Sequence, residues 1–509
     1  MIAKRFLDKF ALSIVAVLSC FDRVIFKGYL PFGGEEHLNG YVDKVLGIRR
    51  VDFIQSLRNY SQRLIDHAKR LADQHHRPYV YIQGRFRKEK YIDEIIRRDR
   101  LTEGLIAVLC VQETCRTVKL KAAQTRPRLV FAKRPQRVLY FYWLDPAFGR
   151  ISVRLQTWFP YTIQVYVNGH EWLARQMERA GLGFVQQDNA FLQLPDPRRA
   201  QKIADRFVRL NWVKQLSRWA RQVNPLLRGR SPFAGLNYYW VTEQAEYATD
   251  ILFSSPRALR ELYPRLLDYA AVNFSANDIL TFLGRKLHGA FQGEVLTTLQ
   301  KKRWPGARIK HRMKDNWLKM YDKFGILLRV ETVINQPREF RVSRWCPQRR
   351  RVVWEPMNKG VVHLPSYQRV AQAANQRYLE ALAAVDDPTL AYQHIRELAR
   401  RKISRGRSYA GFNPACRDDV RLFQAVLAGD HLLRGFRNAD IRRFLYGEAS
   451  GPRRRRQQAN RVSRLLKRLH VRGLIAKIPR SRRWRVSHKG HRILATVVRL
   501  HYHGLSQAA

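Results

Sequence analysis

The chain has 509 residues, 45% hydrophobic and 11% aromatic, which excludes a disordered polycation and allows two to four cored domains. Its 95 Lys and Arg against 41 Asp and Glu leave a net +54. That excess repels itself unless a polyanion neutralises it, so the expected partner is nucleic acid, DNA before RNA.

No apolar run reaches the roughly 18 residues of a membrane span, so no membrane is expected as a partner. Cysteines 20, 110, 115, 346 and 416 are scattered and odd in number. They read as reduced core thiols of a cytoplasmic protein. An oligomer is compatible with all of this.

In chain order, Lys4, Arg5 and Lys9 before the run at residues 10–19 imitate a signal peptide, but strand character follows at once over 21–30. Pro31, Gly33 and Gly34 break that strand. Helical periodicity covers 35–47 and 53–76. A short strand is predicted at 79–83, a charged helix at 88–98 and a buried strand at 105–111. Alternating runs at 138–143, 151–158 and 162–167, split by Asp145, Pro146, Gly149 and Pro160, read as a meander. Helices fit 171–180 and 197–223, a strand 247–253 and a helix 257–271. Strands dominate 279–335, and a helix fits 366–385.

The fold class is therefore α+β. An antiparallel sheet with helices forms a body over 1–345, a helical connector spans 346–414, and a DNA-binding domain fills 415–509. In that last part no acidic residue follows Glu448, and 17 Lys or Arg follow Gly451. Val462, Leu465, Leu466 and Leu469 recur among them at helical spacing, so one helix can pack on a core and lie along phosphates at once. Helices near 419, from Asn438 and over 458–473, a basic hairpin at 475–487 and a last helix from Lys489 give the order of a winged helix.

Acidic residues inside apolar strands need partners, either a basic side chain or a divalent cation. Asp22 sits in FDRVIF, Asp250 in EYATDILF and Glu331 in LLRVETV. Adjacent Arg23 and Arg329 either serve as such partners or, by strand alternation, point to the opposite face. His170, at a strand-to-helix junction, is a ligand or base in one reading and a cap or core residue in the other. Tyr321 lies between Lys319 and Lys323, where cations favour its phenolate; a packed aromatic is the plainer reading. Lys310, His311, Arg312 and Lys314 with Trp304 and Trp317 suit either a single strand of nucleic acid or a solvated loop. No Walker loop and no nucleophile elbow occur, so ATP-driven and serine-hydrolase chemistry are unsupported.

The C-terminal stretch NRVSRLLKRLHVRGLIAKIPRSRRWRVSHKG at 460–490 resembles winged helix-turn-helix regulators of the multiple-antibiotic-resistance-regulator type. That likeness covers about 95 residues. It implies that Asn460, Arg461, Ser463, Arg464 and Lys467 face the major groove, with Arg480, Arg482 and Arg483 on a wing.

Short islands over roughly 20–335 resemble the rolling-circle replication initiators of filamentous phages and small plasmids, which nick one strand through a tyrosine and a divalent metal. By that resemblance Tyr321 is the nucleophile, and Lys323, Arg285 and Lys286 hold the scissile phosphate. Asp22, Asp250 and Glu331 become candidate ligands of Mg²⁺ or Mn²⁺, with His170 added from its own place at the strand-to-helix junction. The expectation is a DNA-binding protein of a mobile element or replicon that nicks or transfers a strand. The alternatives are a non-enzymatic regulator and an RNA-binding protein.

Overall fold

The computed structural model describes residues 3–84, 86–123, 126–285, 293–300, 307–385, 396–404, 406–431, 435–448, 451–479 and 481–503. The fold is α+β. Two compact units do not follow the order of the chain. The larger comprises Ala16–Asp250 and Glu331–Gln372; the smaller comprises Met1–Val15, Ile251–Val330 and Ala373–Ala509.

The strands in chain order are β1 (Ile14–Tyr29), β2 (Tyr79–Ile82), β3 (Gly104–Lys121), β4 (Arg128–Asp145), β5 (Gly149–Gln156), β6 (Ile163–Asn168), β7 (Val185–Gln187), β8 (Ala190–Gln193), β9 (Tyr239–Phe253), β10 (Val295–Gln300), β11 (Arg308–Met313), β12 (Asn316–Lys323) and β13 (Leu327–Ile334). In the larger unit the neighbours run from the second half of β13 through β9, β1, β6, β5, β4 and β3 to β2.

The sheet is mixed and not purely antiparallel, because β2 joins β3 in parallel. Parallel neighbours need a crossover, and the helix Lys88–Asp99 between them supplies it. β3 and β4 are much longer than the predicted runs. They pair from Gly104 with Leu144 to Lys121 with Arg128. Their outer halves are rich in Lys and Arg, which hides the strand period from a hydrophobicity count. β6 alternates as predicted, burying Ile163, Val165 and Val167. β9 is buried along nearly its whole length and β13 throughout, as befits strands covered on both faces.

The helix Arg50–Gln74, close to the helical periodicity predicted over 53–76, buries Phe53, Leu57, Leu64, Ile65, Ala68, Leu71 and Ala72. The predicted helix at 197–223 is two, Pro197–Ala204 and Trp212–Val223. Asp196 and Asn211 each cap one by accepting a backbone N–H.

In the smaller unit β10, β11 and β12 form a meander leading to the first half of β13. It also contains the helices Arg417–Leu427, Asn438–Tyr446 and Pro452–Val471, the hairpin Ile475–Lys477 with Trp484–Val486, and the helix His488–His503. Val420, Phe423, Phe436, Ile441, Val462, Leu466, Leu469, Ile475 and Leu494 share one core.

An isolated antiparallel bridge from Phe436 to Trp484 borders the hairpin, and Gly435 lets the chain come that close. Its φ is +65°, and a Cβ there would lie 2.3 Å from the Trp484 carbonyl oxygen, so only glycine fits. Phe436 and Trp484 then exchange two backbone hydrogen bonds of 2.8 Å. Asn438 is the first residue of its helix, with Arg437 at the cap position. The Asn438 side chain donates to the Ala459 carbonyl and to Ser463 Oγ, each at 2.9 Å.

The stretch 346–414 is not simply helical. It carries the helix Leu364–Leu382, the end of a hairpin (Arg341–Cys346 with Arg351–Pro356) and a short hairpin, Lys402–Ser404 with Arg407–Tyr409. Cys20, Cys110 and Cys115 are buried thiols; Cys346 and Cys416 are only partly buried. No described helix is long and apolar enough to cross a membrane.

Candidate functional site

Three neighbouring strands of the larger unit each bring one carboxylate to the same place. Asp22 is on β1, Glu246 on β9 and Glu331 on β13, and one oxygen from each lies within 4.8 Å of the others. All three are buried, with exposures of 8%, 4% and 1%. Cross-strand pairing explains how Asp22 and Glu246 meet. Ser19 Oγ lies 3.0 Å from Thr249 Oγ1, and the rings of Phe21 and Tyr247 are 5.1 Å apart. Moving up β1 while moving down β9 takes these pairs to Asp22 opposite Glu246, as antiparallel neighbours require.

The turn from β6 into the helix Gly169–Arg179 adds His170. Asn168 caps that helix, its Oδ1 accepting from the backbone N–H of His170 at 2.8 Å and of Glu171 at 3.1 Å. At Gly169 a Cβ would sit 2.1 Å from the Phe21 carbonyl oxygen, so only glycine lets the helix start this close to β1. His170 is thereby fully buried between two carboxylates. Its Nδ1 is 2.9 Å from Asp22 Oδ1, and its Nε2 is 3.4 Å from Asp250 Oδ2. Asn189, in the turn between β7 and β8, donates to Asp22 from its side-chain amide.

These contacts sort the predicted residues. Asp22 and Glu331 belong to the carboxylate group. Asp250 and His170 stand beside it: Asp250 faces the imidazole, and His170 orients Asp22. Glu246 completes the group. The strand predicted at 247–253 begins too late to include it, because β9 starts at Tyr239. Arg23 does not turn away; it pairs with Glu246. Burial works against the Arg23 charge, yet Glu246 outweighs it and holds the guanidinium above its ordinary value. Burial also raises Tyr166, helped by the negative charge of Asp22.

Two carboxylates 4.8 Å apart repel by roughly 3 kcal/mol at an effective dielectric of about 20. Shared protons, guanidinium partners or a divalent cation can each relieve that. An all-oxygen set suits a hard cation, Mg²⁺, Mn²⁺ or Ca²⁺, better than Zn²⁺. The His170–Asp22 contact has the form of an outer partner that fixes a metal-binding carboxylate.

The predicted nucleophile set falls in the smaller unit. Tyr321 and Lys323 lie on β12 and are buried, at 9% and 7% exposure. Tyr321 faces Arg308 across the ladder, while Lys310 faces Lys319 and Arg312 faces Trp317. Lys310 Nζ sits 3.5 Å from the centre of the Trp317 ring. The segment read as a possible loop is thus a hairpin. Arg285 follows the helix Ala276–Phe282, its backbone N–H donating to the Leu280 carbonyl at 2.7 Å. Lys286, Trp304 and Arg480 lie outside the described residues.

The helix Pro452–Val471 places Asn460, Arg461, Ser463, Arg464 and Lys467 on an exposed face, opposite buried Val462, Leu466 and Leu469. It starts earlier than predicted, so Arg453, Arg454, Arg455 and Arg456 occupy its first turns. Positive charge there opposes the helix dipole, and an anion reverses that penalty. Arg482 is exposed in the hairpin turn. Arg483 is not at a wing tip; it donates to the Gly435 carbonyl at 3.1 Å and braces the hairpin.

Comparison with known protein families, curated proteins and solved structures finds no match to this chain.

Proposed function

We propose that this chain is a DNA-binding protein that cleaves or transfers a strand at a divalent-cation site formed by Asp22, Glu246 and Glu331. The observation that carries the reading is the meeting of three buried carboxylates from three adjacent strands in a chain of net charge +54. In this reading the C-terminal module is a winged helix whose third helix, Pro452–Val471, lies in a groove of the duplex. Its exposed cations contact phosphates, and Asn460 and Arg461 reach base edges.

A bound cation would neutralise charge on the scissile phosphate. The chain's own residues do the rest: Glu246 and Glu331 hold position from rigid strands, while His170 and Asn189 keep Asp22 oriented. The attacking oxygen is a water; Tyr321, on β12 of the smaller unit, is not among the residues of this group. The non-enzymatic regulator remains a second reading, favoured by the ion pair of Arg23 with Glu246 and the contacts of His170 and Asn189 to Asp22, which also suit a purely structural cluster.

The test is incubation with end-labelled single-stranded and duplex DNA in Mg²⁺ or Mn²⁺. Hydrolysis gives shortened strands that Glu331→Gln abolishes. A protein–DNA adduct that Tyr321→Phe removes would instead assign the chemistry to the smaller unit and overturn the carboxylate reading. Specific duplex binding without cleavage supports the regulator, and binding of RNA but not DNA overturns the DNA reading.

A further inference from the structure

The hairpin of Arg341–Cys346 and Arg351–Pro356 leaves two indoles uncovered. Trp345 is 60% exposed and Trp354 is 65% exposed. The register sets Trp345 opposite Val352 and Ser343 opposite Trp354. Facing residues of an antiparallel pair share a side, and side chains two apart along a strand share it too. Both indoles therefore stand on one side of the ribbon, with Val352, itself 60% exposed, between them. Large rings are usually covered in a folded chain, so an apolar patch this open marks a place where something binds.

The charges around the patch say what kind of partner. Arg341 shares the side of the indoles on the first strand, Arg344 and Arg351 stand on the opposite side, and Arg349 and Arg350 fill the turn next to Trp345 and Val352. Glu355 is the one acidic residue from 341 to 356, and it pairs with Arg344. Flat aromatic faces at the end of a ribbon whose turn is rich in arginine match unstacked bases on a phosphate backbone. A duplex keeps its bases stacked on one another and offers the indoles no π-face.

We propose that this ribbon binds single-stranded nucleic acid, with bases stacking on Trp345 and Trp354 and phosphates on the arginines of the turn. The proposal does not depend on the carboxylate site or on the C-terminal module.

The test uses the full chain and fluorescence anisotropy with three labelled probes of about 12 nucleotides: a single strand, a duplex and an abasic strand of equal charge. The wild type is expected to prefer the normal strand to the abasic one. Trp345→Ala with Trp354→Ala is expected to weaken the normal strand about 30-fold or more and to leave the abasic strand unchanged. Replacing Arg349, Arg350 and Arg351 by Ala is expected to lower the log–log salt slope by about 2, since each phosphate neutralised on a single strand accounts for roughly 0.7.

Equal wild-type affinity for normal and abasic strands overturns the proposal, and that comparison needs no variant to fold. Unchanged binding by the double tryptophan variant overturns it as well, whether the ribbon then serves a protein or a second copy of the chain. Arg461→Ala with Arg464→Ala, which disables the C-terminal module, is expected to reduce duplex binding while keeping the preference for normal over abasic strands. A failed duplex assay therefore leaves the ribbon standing.

Discussion

His170 Nδ1 lies 2.9 Å from Asp22 Oδ1, with the imidazole fully buried and the carboxylate nearly so. Each holds the other where the fold needs it, because Asn168 and Gly169 fix the helix start against β1. His170→Gln should therefore cost about 1–3 kcal/mol of stability, the usual penalty for leaving a buried polar partner unmatched. His170→Ala should cost more, since it adds a cavity. Urea unfolding of both variants measures this; midpoints equal to wild type would show the pairing to be unimportant.

Cation binding separates the residues of the group from those around it. Titration with Mn²⁺, followed by electron paramagnetic resonance, should show one site in the wild type. His170→Gln should weaken it roughly 10–100-fold, as expected of an outer partner, and Glu331→Gln should weaken it further. Saturating Mn²⁺ should also stabilise the wild type but not Glu331→Gln, by about 2.7 kcal/mol at a hundredfold excess over Kd, read as a higher melting temperature.

A second buried histidine makes a prediction about pH. His311 on β11 is enclosed, with Thr297 Oγ1 2.9 Å from its Nδ1 and the Tyr378 hydroxyl 3.0 Å from its Nε2. Burial lowers its pKa to about 3. The unfolded chain then binds a proton below about pH 6.5 that the folded chain refuses until about pH 3. Stability should be fully present above about pH 6.5 and fall as pH drops through that window, by about 1.4 kcal/mol per unit from this group. Unfolding midpoints at several pH values should show a shallower slope in His311→Gln.

Duplex binding by the C-terminal module should follow counterion release. Arg461→Ala and Arg464→Ala should each weaken duplex DNA and lower the log–log salt slope by about 0.9 for every phosphate left without its cation. Arg483→Ala should instead lower the module's stability, because that side chain braces Gly435. Anisotropy across a salt series, with a melting curve for each variant, distinguishes the two effects.

The sequence shows elements where apolar periodicity is undiluted. The alternation of Ile163, Val165 and Val167 and the helix over most of 53–76 both occur as predicted. It fails where charge masks the period, as in the outer halves of β3 and β4, and where pairing is non-local, as in the parallel addition of β2. The same reason governs the site. Asp22 and Glu331 stand out because a carboxylate in an apolar strand needs a partner. Glu246 does not, because the polar residues before Tyr247 hide the first half of β9. Asp250 and Glu246 look alike along the chain; only cross-strand register decides which of them joins Asp22. Asn189 sits in a turn that no local pattern ties to β1, so its hydrogen bond with Asp22 is a product of tertiary structure alone.

The most direct measurement is Mn²⁺-dependent cleavage of a labelled single strand by the wild type and by Glu331→Gln, with both proteins shown to be folded and to bind the DNA equally. The account predicts strand shortening by the wild type that requires the cation and is lost in the variant. Cleavage that persists in the variant, or an intact strand with the metal-loaded wild type, would contradict it.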